Sequence, residues 1–140
     1  MKIDMPKEWH FSITMKVRVT DLNYGNHLAN QQFLAFAQEA RMAYFAQYGF
    51  TELDFGGTSL IQVDAAITFK GEGHLNDEVQ IDVAAHTEGG SSFNIFYKFT
   101  NLTKNKPMAE IRTALVCFQT KKTIFIFHLT KTTFLLNNCM

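Results

Sequence analysis

The sequence predicts an α+β fold in which several antiparallel strands pack with one long helix. Three observations predict it. Residues 9 to 19 alternate apolar and polar side chains, the period-two signature of a half-buried strand. A single stretch, from about Asn30 to Tyr48, changes to three- and four-residue apolar spacing, the signature of an amphipathic helix. Four more strand-like segments then follow with no second helix between them, an order that belongs to α+β rather than α/β proteins.

The elements follow in order. In the first strand Trp9, Phe11, Ile13, Met15, Val17 and Val19 form the apolar row, between His10, Ser12, Thr14, Lys16 and Arg18. The helix takes Asn30 as its N-cap and Gly49 as its C′ stop. Phe33, Phe36, Ala37, Ala40, Tyr44 and Tyr48 make one apolar face, and Leu34, Met42 and Phe45 add apolar surface elsewhere. A helix this apolar is expected to be wrapped by the sheet. Ile61, Val63, Ala65, Ile67 and Phe69 alternate with Gln62, Asp64, Ala66, Thr68 and Lys70 in a second strand. Val79, Ile81 and Val83 mark a third, after Asn76-Asp77, and Phe93, Ile95, Tyr97 and Phe99 a fourth, after Gly89-Gly90. Residues 108–119 make a fifth, rich in Ile, Val, Leu and Phe. Pro6 and Pro107 fall outside the strand and helix cores, where proline belongs. From Ile111 to Met140 there is no acidic residue, and the Thr-rich apolar run from Thr123 to Leu135 is expected to extend the last strand or pair with a partner chain.

Composition narrows the function. The chain has 140 residues, 46% of them hydrophobic, enough for one domain with a substantial core. Lys+Arg and Asp+Glu balance at 13 each, which argues against nucleic acid or an anionic membrane as partner. Fourteen Phe in a neutral domain favour burial of aromatic surface against a second copy. Cys117 and Cys139 have no metal-ligand spacing, and Cys117 reads as a small buried hydrophobe. His10, His74, His86 and His128 are scattered and read as surface or turn residues, so no metal is expected. Gly71, Gly73, Gly89 and Gly90 read as hairpin turns, not as a phosphate loop. No signal peptide and no run of about 18 apolar residues stand out, so the expectation is a cytoplasmic protein with no membrane span.

The densest chemistry lies between the first strand and the helix, in Asp21-Leu22-Asn23-Tyr24-Gly25-Asn26-His27-Leu28-Ala29-Asn30. A helix start offers unpaired backbone N–H groups and a positive dipole end. Asp, Asn and His beside it build a small site suited to a developing negative charge. A turn with an Asn N-cap explains part of this set and leaves Asp21, Asn23 and His27 together unexplained.

The same residues resemble the signature of hotdog-fold acyl thioesterases of the 4-hydroxybenzoyl-CoA thioesterase superfamily. In that signature a strand ending in Arg-x-x-Asp-x-Asp runs through a Gly/His/Asn-rich loop into a helix carrying Glu-x-Ala-Arg or Glu-Ala-Arg. Here Arg18, Asp21, Asn23, Gly25, His27, Asn30, Glu39, Ala40 and Arg41 match it, and the resemblance covers roughly residues 9 to 120. It implies a hotdog fold, a curled antiparallel sheet wrapped around one long central helix. That gives a single hotdog domain over residues 1–140, with the tail from about 121 set apart. It also implies a homodimer or a tetramer of dimers, sites between subunits, and no cofactor.

Thioester hydrolysis needs donors at the carbonyl oxygen, a base or nucleophile, and a groove for the acyl and carrier arms. Backbone N–H groups from Gly25 to Asn30 are candidates for the first need, with Gly25 allowing close approach. Tyr24, Gly25, Asn26, Asn30 and Asp64 are the substrate-binding candidates. The second need is where the chain departs from the family: Asn23 stands where one branch has its catalytic Asp. An amide can orient water or bind an oxyanion but cannot accept the proton. The base is then sought first at His27, whose unperturbed pKa lies near neutrality. Glu39 comes second, since another branch uses a helix carboxylate; Asp21 and Asp64 follow. Against these roles, Asp21 could cap the loop or pair with Arg18, Glu39 and Arg41 could form surface ion pairs, and His27 could satisfy nearby backbone. The leading reading is a hydrolase acting on acyl-CoA or acyl-carrier thioesters. A degenerate acyl-binding or interaction protein is the first alternative. An enoyl-CoA hydratase is the second, because Asp21-Leu22-Asn23 echoes the start of that signature.

Overall fold

The computed structural model describes residues 1–87 and 90–118, so the Thr-rich run from Thr123 lies outside the described residues. The chain forms β1 (Phe11–Lys16), a 3-10 turn (Val19–Asp21), α1 (Asn30–Ala46), β2 (Ser59–Phe69), β3 (Glu78–Thr87), β4 (Ser92–Asn101) and β5 (Lys106–Phe118). All five strands join one antiparallel sheet in the order β1-β3-β4-β5-β2. The helix therefore carries the chain from one sheet edge to the other. This is the hotdog arrangement. No described helix is long and apolar enough to cross a membrane.

The core lies between α1 and the sheet. Phe33, Phe36, Ala37, Ala40 and Tyr44 are buried as the spacing predicts, and Phe45 joins them. They meet Val79, Ile81, Val83, Ile95, Tyr97, Phe99, Ile111 and Leu115 from the central strands. The rings interlock: Phe33 lies 5.5 Å from Phe99, Phe45 5.1 Å from Phe55, and Phe55 5.9 Å from Phe93. Aromatic pairs at these separations add to the area term. The helix is not enclosed all round, because Ala35, Gln38, Glu39, Met42 and Ala46 remain exposed along its outer side.

The helix ends behave differently from one another. At the C-terminus Gly49 has φ 74°, its N–H reaches the Ala46 carbonyl at 3.1 Å, and Phe50 N–H reaches Phe45 at 3.1 Å. That is a Schellman closure, and it needs the left-handed residue that glycine supplies. At the N-terminus the N-cap is Ala29, one residue before the expected Asn30, and no side chain caps the helix.

The second strand corrects an expectation. Ile61 and Val63 are 48% and 60% exposed instead of half-buried in the core, and Ala65 is exposed with them. The reason is position: among the described residues β2 is an edge strand that pairs only with β5, with a bulge between Gln62 and Asp64. A second correction concerns Gly71 and Gly73. β2 and β3 are not sheet neighbours, so these glycines cannot close a hairpin between them. A Cβ on Gly71 would lie 2.6 Å from the Pro107 carbonyl, and one on Gly73 2.8 Å from Met108 Cε and 3.1 Å from Leu28 Cβ. They are glycines because two other segments press against this crossing. Cys117 is half-buried at the margin of the core, not within it.

Candidate active site

The loop that enters α1 is held by its own polar groups. The Asp21 carboxylate is 2% exposed. It accepts the Arg18 backbone N–H at 2.8 Å and the Arg18 guanidinium at 3.2 and 3.1 Å. Burial pushes its pKa up, but the Arg18 hydrogen bonds and charge outweigh burial and hold it below the ordinary carboxylate range. Its backbone carbonyl accepts the Ala29 N–H at 3.0 Å, which ties the loop start to the helix start. The amide oxygen of Asn23 accepts the N–H of Gly25 at 2.9 Å and of His27 at 3.1 Å. Asn23 N–H returns to the His27 carbonyl at 2.8 Å, and Asn26 N–H to the Asn23 carbonyl at 3.0 Å. Asn26 takes φ 64°, a left-handed turn that asparagine tolerates. Tyr24 stands fully exposed at the tip, and Asn30 is exposed at the first helical turn.

His27 differs from its neighbours. Its imidazole forms none of the hydrogen bonds that close the loop. It is half-buried, with Nδ1 3.2 Å from Glu72 Oε1 and its ring in edge contact with His74 at 4.9 Å. His74 Nε2 lies 3.8 Å from the second Glu72 oxygen. On its other side His74 Nδ1 meets Lys104 Nζ at 2.5 Å, and that ammonium lies 3.3 Å from Asp77. Asp77 accepts the His74 backbone N–H at 2.9 Å and the Asn101 amide at 2.8 Å, which fixes the turn.

Glu72 and His74 were not legible as site residues. They lie far from His27 in sequence, and only the crossing from β2 to β3 brings them beside it. His74 reads as an isolated turn histidine until that path is known. One weak signal exists: Gly71-Glu72-Gly73 packs two glycines around a charged residue, and each glycine marks a close approach.

The other candidates fall elsewhere. Glu39 is exposed on α1, close enough to act electrostatically on Arg18. Asp64, on β2, is exposed and accepts Arg112 Nη2 at 2.9 Å, which lowers its pKa; Arg112 also donates to Asn94 at 3.2 Å. Arg41 overturns its reading as a surface ion-pair partner, being only 4% exposed. Its Nε donates to Glu52 at 2.5 Å, and its Nη1 to Gln62 at 3.2 Å and to the Tyr97 hydroxyl at 3.0 Å. Tyr97 in turn bonds Thr113 at 3.1 Å. The signal was available, because Arg41 falls on the stripe of Ala37, Ala40 and Tyr44. Of the lysines near the strand ends, which a CoA phosphate would need free, Lys70 pairs with Glu110, Lys98 lies 3.6 Å from Asp82, and Lys104 belongs to the His74 cluster; Lys106 is exposed at the start of β5.

A curled antiparallel sheet against one long helix defines a hotdog fold. Residues 17–133 match the model of the thioesterase-like superfamily, and the chain belongs to that superfamily. No curated protein matches it in sequence. Among solved structures it is similar to Slr0204, a 1,4-dihydroxy-2-naphthoyl-CoA thioesterase from Synechocystis. That likeness has TM-score 0.75 at 17% identity and covers 91% of this chain and 96% of that one. The YbaW protein of Escherichia coli gives 0.72 at 19% identity, over 93% and 98%. A hypothetical thioesterase protein from Streptococcus pneumoniae, solved with coenzyme A, gives 0.65 at 14% identity, over 86% and 90%. At these identities the likeness is one of fold.

Proposed function

We propose that the protein hydrolyses acyl-CoA thioesters, with His27 as general base, at a site completed by a second copy of the chain. The observation that carries this reading is how the loop divides its polar groups. Asp21 and Asn23 are engaged in holding the loop, whereas the His27 imidazole takes no part in holding it. In the reaction a water oxygen bonds to the thioester carbonyl carbon as His27 takes the water proton. The N–H groups of Gly25 to Ala29, expected as donors to the carbonyl oxygen, are engaged within the fold, so that oxygen is held instead by backbone N–H groups of the first turn of α1, from Asn30 on, while its charge grows. The C–S bond then breaks, and the thiolate leaves with the proton that His27 carried. Asn23 and Asp21 serve as scaffold; Glu39 is the second candidate base. Tyr24, Gly25, Asn26, Asn30 and Asp64 remain the proposed substrate contacts.

Coenzyme A as carrier is supported by the coenzyme A and acetyl-CoA found in two similar folds, the latter in a protein from Streptococcus mutans. The same reading carries the expectation of a cytoplasmic protein. Assembly is supported by β2, an eleven-residue edge strand that exposes Ile61 and Val63. A long edge with apolar side chains is a template for pairing unless it is covered. The expected form is a homodimer joined at β2, or a tetramer of two such dimers. A sedimentation mass equal to one chain at micromolar concentration would overturn this part of the proposal.

A panel of acyl-CoA esters, followed by release of free thiol, tests the activity. His27→Ala is expected to lower kcat by about 10²–10⁴, whereas Glu39→Gln stays within a few-fold of the native rate. The reverse result would move the base to the helix. Binding of acyl-CoA without turnover would establish an acyl-binding protein instead, and hydration of crotonyl-CoA would establish the hydratase.

A further inference from the structure

We propose that Glu72 is the positioning residue for His27, holding its imidazole as the Nδ1–H tautomer so that Nε2 faces the water. This rests on the reading of His27 as base and deepens it. The geometry starts from the backbone. Leu28 N–H donates to the Gly73 carbonyl at 2.8 Å, so the residue after His27 is tied to the residue after Glu72. On the far side, Lys70 and Gly71 N–H groups both reach the Met108 carbonyl, at 2.8 and 3.0 Å. Glu72 is therefore clamped between the loop and β5, and the two glycines beside it allow both approaches. Its Oε1 stands 3.2 Å from His27 Nδ1. A carboxylate accepts only, so the proton lies on Nδ1, and Nε2 keeps its lone pair. An imidazole held this way acts as a base without first having to change tautomer.

His27, Glu72 and His74 could also be read as ligands for a cation, since one ligand atom from each lies within 4.8 Å of the others. The His74 contacts disfavour it. Lys104 can only donate, so His74 Nδ1 accepts, and the His74 proton sits on Nε2 toward Glu72. A metal on that Nε2 would force a proton onto Nδ1, against the ammonium. The arrangement suits a carboxylate steadied between two imidazoles.

Ring ¹⁵N spectra of the intact protein read the tautomer without reference to activity. The native protein is expected to show His27 as Nδ1–H. Glu72→Ala, an exposed change, is expected to shift His27 toward Nε2–H and to lower kcat by about 10–100-fold with KM little changed. An Nε2–H tautomer in the native protein, or Glu72→Ala leaving both spectrum and kcat unchanged, would overturn the assignment. A zinc titration that perturbs the ring nitrogens of both His27 and His74, and fails to do so in Glu72→Ala, would overturn it in favour of a metal site. Failure of the base itself reads differently. His27→Ala would then keep its activity while the native spectrum still showed the Nδ1–H tautomer.

Discussion

Two polar clusters stand at different depths in this molecule. Around the buried Arg41 guanidinium, the buried Tyr97 and Thr113 and the more exposed Glu52 and Gln62 interlock. Around His27 an imidazole, Glu72, His74, Lys104 and Asp77 meet at a half-open loop. Both pair nitrogen donors with a carboxylate, and they differ in what is left over. The Arg41 guanidinium is held by three partners: burial works against its charge, but Tyr97 and Glu52 outweigh burial, and the charge stays where it is. Burial likewise pushes the Tyr97 phenol up, keeping it a neutral hydrogen-bonding group. The His27 cluster reaches solvent and, on the proposed reading, keeps a ring nitrogen for chemistry. A network anchored on a buried charge serves the fold, whereas an open one with a spare lone pair can serve a reaction.

Stability should therefore be far more sensitive at Arg41 than at His27. Arg41→Met removes the guanidinium and leaves Tyr97, Gln62 and Glu52 without it. Breaking a buried pair costs about 3–5 kcal/mol, and the lower end is expected because Glu52 is partly exposed. His27→Ala, at a half-exposed position, should stay within about 0.5 kcal/mol. Denaturant unfolding of both variants checks this. Equal losses would mean that the two clusters do not divide the work in this way.

This contrast also marks what could be read from the chain. The core face of α1 was legible because Phe33, Phe36, Ala37, Ala40 and Tyr44 obey one local period. The Gly49 stop was legible because a left-handed residue is a local demand. β2 was misread because alternation reports two unlike faces and cannot say what covers either. The Glu72 side of the site was hidden for the same reason: the distance between His27 and Glu72 is a property of the crossing, not of either segment. Arg41 was partly legible, since a charge on an apolar stripe demands partners, but those partners come from three other strands and loops.

Acid sharpens the comparison from a second side. Asp21 and Asp77 are buried carboxylates near the two ends of the loop system. Burial raises both pKa values, yet Arg18 and its N–H outweigh burial at Asp21, and the His74 N–H, Asn101 and Lys104 outweigh it at Asp77. Each folded pKa is thus depressed. Their contribution to stability is fully present above the unfolded value of about 3.9 and is lost as pH falls through the depressed folded value. Unfolding free energy should be steady from neutrality to about pH 5 and then decline. Asp21→Asn should lower stability at pH 7 by about 1–3 kcal/mol and flatten the acid decline. If its acid limb parallels that of the native protein, Asp21 does not anchor the loop as a charge.

The smallest effect is expected at the position where the sequence departs most from the family. Asn23 was suspect because an amide cannot act as a base. In the structure its oxygen is directed at the N–H groups of Gly25 and His27. A carboxylate can accept both of those bonds from the same place. Asn23→Asp should therefore preserve the loop, with stability changed by less than about 0.5 kcal/mol. An Asp whose oxygens are already engaged by two N–H groups gains little as a base, because those bonds favour its charged form and weaken its hold on a proton. Hydrolysis by Asn23→Asp should stay within a few-fold of native, and His27→Ala in that background should still lose most of it. If Asn23→Asp instead raises the rate tenfold or more and makes His27 dispensable, the carboxylate has taken over as base. The division between a loop that holds and a histidine that reacts would then have to be redrawn.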